Sequence, residues 1–95
     1  MPTVTIEFDN TALPWHTLAI VTGPDRPGVL LAVSAAFASA GVVLHTIRIS
    51  TSDKHVSDRF GIGDHVGSKL DASAMNAIRL ALTEGRTAHR IRPRR

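Results

Sequence analysis

Cysteine and tyrosine are both absent from the 95 residues, and three Phe and one Trp are all the aromatic rings the chain has. Without thiols there can be neither disulfides nor thiolate metal sites, a composition that fits a cytoplasmic protein. So few rings leave little to stack bases on, and Phe8 with Trp15 does not make the aromatic platform of an RNA-reading sheet. No run of 18 apolar residues occurs, and Met1-Pro2-Thr3 has neither the basic nor the apolar part of an export signal, so nothing points to a membrane.

Negative charge is scarce only at the C-terminal end. Five of the 11 basic residues, Arg86, Arg90, Arg92, Arg94 and Arg95, fall in the last ten positions, so the net charge of +3 describes that end. Residues 1–85 carry six basic and eight acidic side chains, a net of −2. One domain over 1–85 with a flexible basic tail over 86–95 is the expected organisation, and a frayed end is favoured over a nucleic-acid arm.

Val4, Ile6 and Phe8 alternate with Thr5 and Glu7, the period of a half-buried strand, and "DNTALP" reads as a turn. "HTLAIVTG" is apolar on both parities, which predicts a central strand over 16–22 covered on both faces. Pro27 suits the first position of a helix over 27–40 with Leu30, Val33, Phe37 and Ala40 inward, and Gly41 is placed to end it. "VVLHTIRIST" and "HVSDRFGIG" predict a second hairpin, the latter with Val56, Asp58, Phe60 and Ile62 on one face. Asp71 can cap a last helix over 72–84 with Met75, Ile78 and Leu82 inward and Gly85 at its end. The order ββαββα predicts an α+β fold, a four-stranded antiparallel sheet with both helices on one face. Strand 3–8 would take the edge filled by the last strand of the ferredoxin-like βαββαβ order, a circular permutation of it.

The loop "TGPDRPGVL" lies between the central strand and the first helix. It lacks the spacing of a phosphate loop, and Pro27 removes a donor such a cradle needs. The N–H groups of Gly28, Val29 and Leu30 open a helix, where a carboxylate can dock, and Asp25 can accept an ammonium group. The plain alternative is that Asp25 and Pro27 only start the helix. In the "VVLHTIRIST" strand the apolar parity breaks between Leu44 and Ile47, which predicts a β-bulge near His45-Thr46 that re-aims the histidine. A structural role for His45 outweighs a ligand role on this reading. Asp58, on an apolar face, needs a partner, with a backbone or hydroxyl group favoured. His55 and His65 lack ligand spacing to Asp58 or Asp64, so no metal is expected.

With "DRPG" at 25–28, "IST" at 49–51 and "DRF" at 58–60, the chain resembles the ACT domain family, and within it the C-terminal ACT domains of bacterial PII uridylyltransferases. The resemblance spans residues 3–84. "SDKHVSDRFGIGDHVGSKL" departs from it, with histidines and glycines where aromatic or β-branched residues are common. The nucleotidyltransferase and HD-type hydrolase regions of such enzymes have no counterpart here, which leaves a fragment and a free-standing module both open. The resemblance implies a ferredoxin-like fold, regulation rather than catalysis, and a small effector, often an amino acid, bound along the Asp25–Leu30 loop at a domain interface.

The candidate ligand-binding residues are therefore Asp25, Arg26, Gly28, Val29, Leu30 and His45. No nucleophile, base and orienter occur together, so no catalytic residue and no cofactor is expected. The two apolar parities of strand 16–22 predict a partner on the open sheet face, a second copy or another ACT domain. A dimerisation module without a ligand is the rival reading, and a nucleic-acid binder acting through the Arg tail is the least favoured.

Overall fold

The computed structural model describes residues 4–24 and 28–91, with side chains described as far as residue 83. Its elements run β1 (Thr5–Asp9), β2 (Thr17–Pro24), α1 (Val29–Ser39), β3 (Val43–Arg48), β4 (Thr51–Ser52), β5 (His55–Gly63) and α2 (Ala72–Ile91). The sheet is antiparallel in the order β1-β2-β5-β3, and the two-residue β4 folds back onto the start of β5. β1 lies beside β2, at the edge that the permuted ferredoxin-like order assigns to it. The α+β class and the ββαββα order read from the sequence are therefore those of the fold, with β4 an addition.

Alternation decides which residues meet the helices. Thr17, Ala19 and Val21 of β2 and Val56, Asp58, Phe60 and Ile62 of β5 are all buried, and they face α1 and α2. From α1 come Val33, Ala36 and Phe37, and from α2 comes Ile78; the Phe37 ring meets Phe60 edge-on at 5.3 Å. Leu30, expected on this inner stripe, is 44% exposed, and Ala36 takes the stripe instead. The helix begins at Val29 with Gly28 as its N-cap, two residues later than expected. The buried stripe is Val33, Ala36 and Phe37. Pro27 lies outside the described residues.

Local chemistry terminates the elements as expected in two places. Gly41 turns the chain out of α1 at φ 72°, a conformation that costs glycine nothing. Asp71 accepts the N–H of Ala74 at 2.9 Å on its carboxylate, so α2 is capped where the sequence placed the cap. The C-terminal end of α2 is a correction: the helix passes Gly85 and runs to Ile91. A glycine in a helix interior costs about 1 kcal/mol relative to alanine, which the helix-compatible residues after it can offset, so it is not by itself a stop. The last four residues of the basic tail lie outside the described residues.

A polar network locks the N-terminal turn to the approach of α2. Buried Thr17 donates its hydroxyl to Asn10 Oδ1 at 2.5 Å and accepts the N–H of Leu70 at 2.8 Å. Asn10 Nδ2 in turn donates to the Leu70 carbonyl at 2.9 Å, and Lys69 Nζ donates to the Asn10 carbonyl at 2.6 Å.

Candidate functional site

Residues 25–27 carry the first part of the expected lip, so Asp25, Arg26 and Pro27 lie outside the described residues. The rest of the lip is the head of α1. Gly28 stands at φ 91°, ψ −14°, in the left-handed region, and no side chain caps α1 among the described residues. The Gly28 carbonyl accepts the first helical bond from Ala32 at 2.8 Å, and Gly28 itself is exposed; the first N–H groups of a helix have no partner within it. The first turn holds no acidic side chain to occupy them. Such a helix end favours an anionic group by its partial positive charge.

Asp58 lies three register positions inside the end of β5, opposite Val21 of β2. It is only 4% exposed, and its Oδ1 accepts the backbone N–H of Ser50 at 3.3 Å. Ser50 also accepts the N–H of Ser57 through its carbonyl at 2.8 Å, so the corner between β3 and β4 is pinned to β5 twice. The backbone partner expected for this carboxylate is the one it has, and the carboxylate holds that corner in place.

His45 does not join the lip. The register of β3 on β5 slips between Leu44, paired with Ile62, and Thr46, paired with Gly61, so the predicted bulge is at His45. Pro24, at the lip, pairs with His55, so six to seven residues of β5 separate the two places, about 20 Å at 3.3 Å per residue. The bulge also turns His45 to the face away from the helices, over Gly63, whose added Cβ would stand 3.5 Å from His45 Nε2. Within one chain Gly28, Val29 and Leu30 come together, and His45 is removed from their set by both distance and face.

The sequence pattern does not announce the neighbour of His45. His16, just ahead of β2, stacks on it with ring centroids 3.9 Å apart and planes at 16°. A signal was present in "GIG": glycines inside a strand mark a close approach, and Gly61 and Gly63 share the outer face beneath the rings. Arg79 of α2 is likewise unannounced, and its guanidinium lies 4.9 Å above the Phe8 ring. An open groove of about 520 Å³ runs beside that pair, lined by Glu7, Phe8, Asp9, Asn10, Ile20 and Arg79, at the β1 edge and away from the lip. Among the described residues no group of three His, Asp or Glu side chains could hold a metal ion, and no helix is long and apolar enough to cross a membrane.

The sheet's exposed apolar surface is also not where the sequence put it. Leu18 and Ile20, the outward residues of β2, are half-buried and share their face with Glu7, Asp9, Arg48 and Arg59. Every residue of β3 is exposed, with Leu44 at 37% and Ile47 at 51%, and Ile49 beyond its end is 51% exposed. Leu30 and Leu31 of α1 are exposed as well. The exposed apolar side chains are spread over β3, the flank of α1 and the turns that hold Trp15 and Val66.

Two carboxylates in turns are held below their ordinary value near 3.8. For Asp9 the cause is first the N–H of Thr11 and then its hydroxyl; for Asp64 it is first the N–H of Ser68, with Val66 adding to it. A folded value below the unfolded one adds stability that is present above the unfolded value and is lost as pH falls through the folded value. Urea midpoints are therefore expected to drop on acidification below 3.8, and Asp64→Ala to start from a lower midpoint at neutral pH and to drop less. An acid response of Asp64→Ala identical to the parent's would reject the assignment.

Residues 17–79 match the ACT domain model, two thirds of the chain, and cover β2 through the first part of α2. The chain belongs to the ACT domain family. Relatives carry the name bifunctional uridylyltransferase/uridylyl-removing enzyme. The protein of Rhodospirillum rubrum is 35% identical over 81 residues, 80% of this chain, and that of Aliivibrio fischeri is 34% identical over 79 residues, 83% of this chain. The protein of Gluconobacter oxydans reaches 39% over 65 residues, 68% of this chain. The matched parts are 9%, 9% and 7% of those proteins, so this ACT domain spans less than a tenth of the length of the relatives it matches. In them the similarity falls on a segment far too short to hold the whole enzyme.

Proposed function

We propose that this ACT domain is a regulatory module, not a catalyst, that binds an α-amino acid at the head of α1 and works in a cytoplasmic setting. The observation that carries the reading is the start of α1 at Gly28, with φ 91°, no side-chain cap among the described residues and no acidic side chain in the first turn. The amides of Gly28, Val29 and Leu30 are the donors to the ligand carboxylate; Asp25 takes the ammonium group and Arg26 flanks it. The similarity to uridylyltransferase/uridylyl-removing enzymes puts glutamine first among the amino acids and favours a role in nitrogen sensing by PII-modifying enzymes. In such an enzyme the effector would shift the balance of two opposing activities by its differential affinity for two domain arrangements.

A second reading is favoured by the exposed β3 edge. Leu44, Ile47 and Ile49 along this edge suit a second ACT domain laid alongside, which makes a structural pairing module without a ligand. Nucleic-acid binding through the Arg-rich end is a third reading, and it rests on side chains outside the described residues.

Titration calorimetry with glutamine and a panel of other amino acids, run beside sedimentation velocity, separates the first two. Saturable heat with glutamine is expected, weakened about tenfold in Gly28→Ala, because a Cβ at φ 91° strains the cap and turns its amides. No heat at millimolar glutamine, with a concentration-dependent dimer in the same sample, would leave the pairing module standing and end the sensing proposal.

A further inference from the structure

The His16–His45 stack belongs neither to the lip nor to the β3 edge proper, yet it is built from three separate features. A bulge at residue 45 turns one imidazole off the strand axis and over β5. The residue ahead of Thr17 brings the other from β2, on the far side of β5. Between them Gly63 supplies no side chain, and Gly61 leaves room for Thr46, whose hydroxyl would clash with an added Cβ there. The rings close over the central strand at 3.9 Å between centroids and 16° between planes, His16 half-buried and His45 exposed.

We infer that this stack is a proton-sensitive clasp that holds the bulged edge strand β3 to the sheet. Two neutral rings, or one neutral and one protonated ring, stack without penalty; two imidazolium rings in face contact repel. Imidazole changes charge between about pH 5 and 8, and charge on one ring of a face-to-face pair opposes charge on the other. The fixed charges on that face are of both signs. Arg48 of β3 and Arg59 of β5 are register partners on the same outer face and add two fixed positive charges. The anions on that side are Asp64, next to Gly63, which keeps its charge while accepting the N–H groups of Val66 and Ser68, Asp9, opposite Leu18, and Glu7 further along β1, whereas Arg59 stands four residues from Gly63. His65 and Lys69 come next in the same loop, the latter bound to the Asn10 carbonyl.

The bulge sets the consequence of opening the clasp. Because of it Leu44 and Ile47, three residues apart, both pair with inward residues of β5, Ile62 and Phe60, and so lie on one face. Opening the stack frees the bulge to slip, and a one-residue slip moves apolar residues to the other face. β3 has only β5 as a strand neighbour, so little else resists. That this would regulate partner binding rests on the reading of β3 as a pairing edge; the clasp itself does not.

Proton NMR and amide exchange on the full chain, at concentrations where sedimentation shows a monomer, test it. From pH 7.5 to pH 5 the imidazole signals of His16 and His45 are expected to lose their mutual ring-current shifts, with the signals of His55 and His65, which have no stacked ring partner in the described residues, as the reference. Over the same range the protection factors of Thr46 and Ile47 should fall about tenfold relative to Ala19 and Val21, a local opening of the edge. His45→Phe keeps an aromatic face without a second charge, so its β3 protection should stay level with the core; His16→Phe is the matching variant if the first does not fold. Ring-current shifts that persist at pH 5, a β3 protection that tracks the core in the parent, or an equal fall in the phenylalanine variants would each overturn the clasp. Because no ligand enters the measurement, its failure leaves the amino-acid site untouched.

Discussion

Phe60→Ala is expected to lower the unfolding free energy by about 3–5 kcal/mol, the range for deleting a buried phenylalanine ring. Phe60 has no exposed surface, lies on β5 between β2 and β3, and meets Phe37 edge-on at 5.3 Å. The variant therefore loses the burial of this ring, an aromatic pair and the main tie between α1 and the sheet in one step. α1 has only Val33, Ala36 and Phe37 buried, so it cannot settle into the cavity without losing its contact to α2. A domain of this size is stable by about 5–15 kcal/mol, which makes a largely unfolded variant at 37 °C a realistic result. Urea unfolding is the measurement, with Leu80→Ala, 60% exposed on α2, as the control expected to stay within about 0.5 kcal/mol. A loss below about 1.5 kcal/mol for Phe60→Ala would show that the core is not centred on this ring.

Thr17→Val is expected to cost about 2–4 kcal/mol, although the two side chains have nearly the same shape. Removing the hydroxyl leaves two groups without their partners, the N–H of Leu70 and Oδ1 of Asn10, each with a penalty of about 1–3 kcal/mol in a buried setting. Asn10 keeps its bond to the Leu70 carbonyl, and so the turn is loosened without being released. Thr17→Ser, which keeps the hydroxyl and gives up a methyl group, should cost about 1 kcal/mol. Equal losses in the two variants would mean that the methyl group and not the network holds the turn. Hydrogen exchange at Leu70 gives a second readout, since its amide should lose protection in Thr17→Val alone.

The two variants differ in how far the sequence announces them. Phe60 is legible from alternation, because Val56, Asp58, Phe60 and Ile62 recur at a period of two and only one face of β5 can meet the helices. Thr17 is not, because its partners stand 7 and 53 residues away and a lone threonine at the start of a strand has no periodic signature. The same contrast runs through the candidate site. The end of α1 at Gly41 and the cap at Asp71 arise from chemistry within a few residues, and each is visible in the sequence, whereas the start of α1 at Gly28 falls two residues after the one the sequence suggests. The phase of α1 is not: Leu30 and Ala36 are both apolar, and which one turns inward depends on where the helix starts and how it lies on Phe60.

His45 joins the two kinds of information. Broken parity between Leu44 and Ile47 is a local fact and it located the bulge, because a strand cannot put both on one face without an extra residue. Where the displaced imidazole goes depends on β2 and β3 lying on opposite sides of β5, with glycines at the crossing, and that is a matter of sheet order. Likewise, two apolar parities in β2 mark that strand as central, while every residue of β3, the strand that closes the far edge, is exposed. By itself, then, the sequence determined the main elements, their order, the end of α1, the cap of α2 and the bulge, since these arise from contacts between near neighbours along the chain. Only the tertiary structure decided the helix phase, the Thr17 network, the distance between His45 and the lip, and the face on which a partner would sit. These depend on pairs far apart in the chain, which no local pattern encodes.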